Sequence, residues 1–224
     1  MNIEKIPEMF RLSGGALLKR GMDLGFAAAG IFLLAPFFLL VWILIRLDSP
    51  GPGFYCSPRV GQHGKLFGMY KFRTMVVAAD QIGPAITVND DPRITRLGKW
   101  LRERRLDEFP QLFNVIRGEM SLVGPRPETA EYVRLYTAEQ LQVLTVKPGV
   151  TGPMQIAYLD EESRLADETT LADAYVTHIM PAKLAIEQQY LERQSCWYDI
   201  GILLRTVWAL RPGLQRGRHG ATGK

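Results

Sequence analysis

The chain has 224 residues, 47% of them apolar and 22% charged, which provides for a packed core and excludes wholesale disorder. Its formal charge of +4 suits an anionic membrane surface, a phosphorylated substrate or a nucleic acid. The basic residues are scattered and no aromatic–basic platform for stacking bases is present, so nucleic acid is set aside.

Residues 1–21 read as a mildly amphipathic lead-in. From Leu24 to Ile45 the chain carries no charge. That run is long enough for a straight helix to cross a hydrocarbon layer of ~30 Å. It begins too far in, and runs too long, for a signal-peptide core. Residues 22–47 are therefore the predicted membrane-inserted segment. Pro36 stands at its centre, where proline removes a backbone hydrogen bond and kinks a helix. Two arrangements satisfy this: a kinked helix crossing once, or a helix–break–helix hairpin that enters and leaves by one leaflet. Lys19 and Arg20 before the run, and Arg46, Arg59, Lys65, Lys71 and Arg73 after it, suit an anchor with both ends in the cytoplasm.

Residues 48–211 form the predicted second unit, and 212–224 a glycine-rich, basic, flexible tail. Asp48 to Gly53 is turn-forming and ends the first helix. Residues 54–76 read as short strands with glycine turns. A helix is expected over 93–105, capped by Asp90 or Asp91. Asp107-Glu108-Phe109-Pro110 interrupts it, and a new helix starts at Pro110 and stops at Gly118. A turn region over 121–127 and a helix over 128–136 follow. The stretch 147–153 is a rigid loop, and helices are expected over 166–192 and 197–210, the last buried or lying on the membrane surface.

Cys56 and Cys196 are far apart with no metal-type spacing, so they are expected as reduced thiols facing the cytoplasm. His63, His178 and His219 are isolated, which argues against a histidine metal site. The middle third is crowded with arginines at 73, 93, 96, 102, 104, 105, 117 and 126. These serve either as a salt-bridged surface or as forks for phosphate oxygens. Pro125-Arg126-Pro127 pins one arginine in rigid backbone, which lowers the ordering cost of binding. On a strand, Lys71-Phe72-Arg73 would place both cations on one face and Phe72 in the core. Asp107 and Glu108 are adjacent carboxylates at the helix break. They either complete the dipole of the Pro110 helix or face one cleft, where surrounding arginines favour their charged forms. An ionised carboxylate there can act as a nucleophile or hold Mg²⁺.

The runs DSPGPGFY (48–55), FGMYKFRTM (67–75), NDDPRITRLGKWLR (89–102), LDEFPQLFNVIRGEMSLVGPRPE (106–128) and VKPGVTGPMQ (146–155) carry a specific resemblance. The chain resembles the bacterial sugar transferases, small monotopic phosphoglycosyl transferases that begin polysaccharide and glycoconjugate assembly. The resemblance implies an α+β, mostly helical fold: a re-entrant membrane hairpin broken at Pro36 and a compact cytoplasmic catalytic domain with interfacial amphipathic helices. It implies a bacterial inner-membrane enzyme, its catalytic domain on the cytoplasmic face among membrane lipids. A UDP-sugar would be the donor, undecaprenyl phosphate the acceptor and Mg²⁺ the cofactor. Asp107 would be the nucleophile, Glu108 would help bind the metal, and Lys71, Arg73, Arg102 and Arg126 would bind substrate. Oligomeric state is left open, a homodimer included.

Two departures stand out. Ala35 precedes Pro36 where the family often has serine, and 153–162 lacks the tryptophan and Asn-Gly-Arg that many members carry. Asp199 also resembles a family position, and as a helix N-terminal residue it has a simpler role. The rival function is a catalytically silent scaffold of a polysaccharide assembly complex, which would need neither Asp107-Glu108 nor Arg126.

Overall fold

The computed structural model describes residues 14–79, 91–158 and 175–209. The expectations for residues 1–13, for Asp90, for 159–174 of the divergent loop and helix, and for the tail lie outside the described residues.

The first helix, α1, runs Gly14–Asp48 and begins ahead of the predicted boundary at residue 22. At 1.5 Å per residue it is about 52 Å long. Pro36 lies inside it, so the expected break between two helices is not seen as two elements. Pro36 is on the exposed face. The opposite face is pinned by Phe38, whose ring meets Phe72 edge-on at 5.7 Å and Phe113 at 5.8 Å. One lost backbone bond does not outweigh that packing.

A narrow stripe of α1 is buried from end to end: Asp23, Ala27, Phe38, Val41 and Ile45 recur at helical spacing. The outer face keeps Phe26, Phe32, Leu33, Leu39, Leu40 and Leu47 exposed. By length and composition α1 can cross a membrane. Both of its ends, however, are bonded to the rest of the protein. Near the start, Lys19 donates to Asp199 Oδ2 at 2.5 Å, and Arg20 donates to the carbonyls of Val115 and Ile116. Asp23 accepts from Ser121 Oγ and the Leu122 amide. Near the end, buried Arg73 donates to the carbonyls of Ile45, Ser49 and Pro50 and to Ser49 Oγ. Several basic residues assigned to membrane flanks, Lys19, Arg20 and Arg73 among them, are thus engaged by the protein itself.

An antiparallel hairpin follows, β1 (Phe54–Val60) with β2 (Leu66–Phe72), in register from Phe54 opposite Phe72 to Val60 opposite Leu66. Helix α2 spans Arg96–Glu103 and starts at Thr95, whose hydroxyl accepts from the Gly98 amide. The expected cap Asp91 instead holds the guanidinium of Arg93, at 2.6 Å. A single 3₁₀ turn, Leu106–Glu108, separates α2 from α3 (Gln111–Arg117), which ends at Gly118 with φ of 84°, as the sequence predicts.

Two three-residue strands, β3 (Ser121–Val123) and β4 (Gly149–Thr151), pair in parallel. The sequence had shown these as a turn and a loop. The helix expected over 128–136 is a single turn, Ala130–Val133. Helices α4 (Pro153–Ala157), α5 (Met180–Arg193) and α6 (Cys196–Ala209) complete the described chain. The fold is mostly helical with two small sheets. Its cores lie between α1, the sheets and the two C-terminal helices.

Arg73 holds four acceptors at the C-terminal end of α1, so its truncation should be felt as lost stability. Arg73→Ala is expected to cost about 2–4 kcal/mol, the scale of several lost charged hydrogen bonds around buried carbonyls. Denaturant unfolding in detergent would measure it. The ligand affinity of the folded fraction should not change.

Candidate active site

Asp107 and Glu108 sit on the 3₁₀ turn between α2 and α3. Arg105, in left-handed backbone with φ of 55°, reverses the chain just before them. The turn brings the two carboxylates into unlike surroundings. Glu108 accepts from Lys71 Nζ at 2.9 Å and from Arg126 Nη2 at 2.9 Å. Lys71 reaches it from β2 and Arg126 from the Pro125-Arg126-Pro127 turn. Burial alone would push the Glu108 carboxyl up, but Arg126 and Lys71 outweigh it and hold the group well below the usual carboxylate range.

Asp107 differs. It is buried, and no described residue donates a hydrogen bond to it or pairs with it within ion-pair distance. Burial pushes its carboxyl up, and the charge on Glu108 adds to that. Lys71, Arg102 and Arg105 oppose the rise without cancelling it. The expectation that arginines favour both charged forms therefore holds for Glu108 and fails for Asp107, where desolvation wins.

The Arg126 turn is clamped from three sides. Its own amide donates to Glu187 Oε1 on α5 at 2.8 Å. The Pro125 carbonyl accepts from Gly149, and the Gly124 amide donates to the Thr151 carbonyl. A Cβ on Gly149 would lie 2.1 Å from the Gly124 nitrogen, so only glycine lets the two loops meet. The Lys147–Pro153 loop and the Pro-Arg-Pro turn are thereby held against each other.

Beside Glu108 opens a cleft continuous with solvent. Arg105, Glu108 and Arg126 form its charged end; Phe109, Val150, Met154, Ile156 and Tyr158 line its apolar walls. Four cations, Lys71, Arg102, Arg105 and Arg126, act on the two carboxylates. Guanidinium and ammonium groups of this kind suit the oxygens of a diphosphate.

Of the residues singled out from sequence, Lys71, Arg102, Asp107, Glu108 and Arg126 are brought together. Arg73 is not: it leaves the strand after Phe72 and turns to the end of α1. Pro36 lies on the exposed face of α1. Asp199 is fully buried between Lys19 and the hydroxyl of Tyr190, joining α1, α5 and α6. Sequence reasoning counted Arg105 among the candidate phosphate-binding arginines without assigning it to the site, although it adjoins the dyad; it missed Glu187 and Gln155, which come from distant segments.

Asp107 and Glu108 supply hard oxygen donors, and Asp107 lacks a competing donor. That set fits Mg²⁺, which takes one or two carboxylates and completes its shell with phosphate oxygens and water.

The family model of the bacterial sugar transferases matches residues 14–212. The chain is 36% identical over 201 residues to the UDP-N-acetylgalactosamine-undecaprenyl-phosphate N-acetylgalactosaminephosphotransferase of Aeromonas hydrophila, covering 88% of this chain and 44% of that protein. It is 38% identical to the UDP-glucose:undecaprenyl-phosphate glucose-1-phosphate transferase of Caulobacter vibrioides, covering 87% and 70%. Against the exopolysaccharide production protein ExoY of Rhizobium meliloti it is 34% identical, covering 92% and 89%. Thus the chain spans less than half of some of these relatives and most of others. With the dyad, the Pro-Arg-Pro turn and the glycine loop all inside the matched span, the chain belongs to the bacterial sugar transferase family.

Proposed function

We propose that this protein transfers a sugar-1-phosphate from a UDP-sugar to undecaprenyl phosphate in two steps. Asp107 attacks the phosphorus that bears the sugar. The bond to the bridging oxygen breaks, and UMP leaves with its electrons. An oxygen of undecaprenyl phosphate then attacks the same phosphorus and releases the Asp107 carboxylate. The product is a sugar linked through diphosphate to the polyprenyl chain.

One observation carries the reading: a buried carboxylate with no hydrogen-bond donor among the described residues adjoins a second one fixed between Lys71 and Arg126, and that second carboxylate lines a cleft together with Arg105 and Arg126. Lys71, Arg102, Arg105 and Arg126 would neutralise the phosphate oxygens, which is most of what phosphoryl transfer asks of a protein. A bound Mg²⁺, held by Asp107 and Glu108, would further offset charge on the diphosphate. The names of the relatives, which carry UDP-sugars and undecaprenyl phosphate, support the same substrates.

The test is a panel of UDP-sugars with purified protein. One of them should release UMP continuously when undecaprenyl phosphate is present. Without acceptor it should release about one UMP per chain as the first step completes. No UMP from any donor in either condition would leave the silent scaffold as the better account.

The raised Asp107 carboxyl has a kinetic consequence. The ionised form attacks, so activity is present above its pKa and lost below it. The acid limb of kcat/KM for the donor, which reports the free enzyme, should fall above the ordinary aspartate range near 3.9. A limb at or below that range would contradict the burial of Asp107.

We further propose that α1 does not span the bilayer. Both ends of α1 are bonded to one domain, through Lys19 and Arg20 and through Arg73. Opposite sides of a membrane cannot be reached without dragging that domain into hydrocarbon. Exposed Trp100 on α2, and Trp197, Leu204, Val207 and Trp208 on α6, suit a domain resting on the headgroups. The outer face of α1 would be sunk in the cytoplasmic leaflet. Single cysteines at Ile3 and Thr222, in a background lacking Cys56 and Cys196, should both resist an impermeant thiol reagent in spheroplasts until lysis. Labelling of residue 3 from outside would mean a spanning helix. Pro36→Leu should leave both sites protected, because α1 already runs through Pro36 and the bonds at its two ends hold it to one side.

A further inference from the structure

Gln155 stands in α4, on the wall of the cleft that holds Glu108 and Arg126. Its amide nitrogen and amide oxygen are both buried, and neither has a hydrogen-bond partner. Among the described residues lining the cleft, it is the side chain in this condition. Thr151 and Thr206, its polar neighbours on the wall, satisfy each other at 2.8 Å.

The amide is held in place. A Cβ at Gly152 would come within 2.7 Å of Gln155 Oε1 and 2.5 Å of the Gly124 carbonyl. The side-chain oxygen therefore packs against Gly152, which itself abuts the Gly124 carbonyl at the root of the Pro125-Arg126-Pro127 turn. Burying both ends of an amide unpaired opposes folding, and native proteins seldom leave such groups unmatched. Leucine or methionine would fill the same volume without that cost. The packing of the fold gives no reason for an amide here; a ligand in the cleft does.

We infer that Gln155 reads the donor, using its amide to pair with a group that presents a hydrogen-bond donor and an acceptor side by side. This rests on the proposed reading of the cleft as a nucleotide-sugar site. The uracil edge has that chemistry, and so do the hydroxyl and acetamido substituents of a sugar. The amide is neutral and holds no proton to exchange, so it selects and positions rather than reacts. A buried pairing of this kind also discriminates, because a donor lacking the matching group leaves the amide unpaired.

The experiment compares wild type with Gln155→Leu and Gln155→Glu as full chains in detergent. For Gln155→Leu the KM of the UDP-sugar should rise roughly ten- to hundredfold, with kcat changed about threefold or less. Its melting temperature should stay level or rise, since a purely structural glutamine would cost stability when removed. Gln155→Glu, which loses the donor and adds charge beside the diphosphate, should bind the donor more weakly still. Calorimetric binding of UMP separates the two sources. A parallel loss of UMP affinity assigns the uracil; an unchanged UMP affinity with weakened UDP-sugar assigns the sugar. A donor KM within twofold of wild type overturns the inference, as does a lowered melting temperature with KM unmoved. Should wild type turn over no donor, the proposed function fails. Calorimetric binding of UMP and of the UDP-sugar then still decides for Gln155: equal affinities in wild type and Gln155→Leu for both overturn it, and no binding of either by wild type overturns both proposals.

Discussion

Asp107→Asn should abolish turnover, by at least ~10³-fold, while the protein stays folded and membrane-bound. An amide cannot form the phosphoryl ester on which the second step depends, and removing a nucleophile has effects of this size. The structure adds a stability expectation that separates chemistry from folding. Burial raises the Asp107 carboxyl, so the ionised group destabilises the folded state at any pH above its unfolded value near 3.9. Asparagine removes that charge and breaks no hydrogen bond. The melting temperature at pH 7 should therefore equal or exceed that of wild type. Glu108→Gln should behave in the opposite way. Its carboxylate is held below the usual range by Arg126 and Lys71, so its contribution is present at pH 7. Removing it leaves two cations facing each other and should lower the melting temperature. Wild-type-like turnover by Asp107→Asn, with deamidation excluded by mass spectrometry, would sink the nucleophile assignment.

Legibility in the sequence followed locality. The run 106–128 could be read because its signals are local: Pro110 opens a helix, Gly118 closes it with positive φ, and prolines fix Arg126. The same reading failed at Arg73. Alternation puts residues 71 and 73 on one face only while the strand continues, and β2 ends at Phe72. The partners that then claim Arg73 are carbonyls near the end of α1, more than twenty residues away. The β3–β4 pair was invisible for a related reason, since three residues are too few for a periodic signal and their pairing is non-local. Arginines near Asp107 were countable in the sequence; its burial was not, and burial sets the direction of its shift. Pro36 stands out in the sequence as a weak point in the helix, but packing along the opposite stripe decides how α1 continues through it.

Chelation should be as severe as loss of the nucleophile. Activity is expected to vanish in excess EDTA and to return with Mg²⁺. Among the described residues no group of three or more histidine, cysteine or carboxylate side chains could hold a metal. Asp107 and Glu108 form a pair short of such a group, and Glu108 already accepts from Lys71 and Arg126. Two protein ligands fall well short of the octahedral shell that Mg²⁺ demands, so the diphosphate and water must supply the rest. Two consequences follow that a preformed metal site would not have. The Mg²⁺ concentration for half-maximal rate should fall as the donor concentration rises, because each completes the other's site. Ca²⁺, larger and satisfied by looser geometry, should support activity poorly, whereas Mn²⁺, another oxygen-liking ion of octahedral habit, should replace Mg²⁺. Glu108→Gln should raise the Mg²⁺ requirement in whatever activity remains. Undiminished turnover in EDTA would mean that Lys71, Arg102, Arg105 and Arg126 neutralise the diphosphate unaided. A Mg²⁺ requirement independent of donor concentration would mean that the protein holds the ion by ligands other than this dyad.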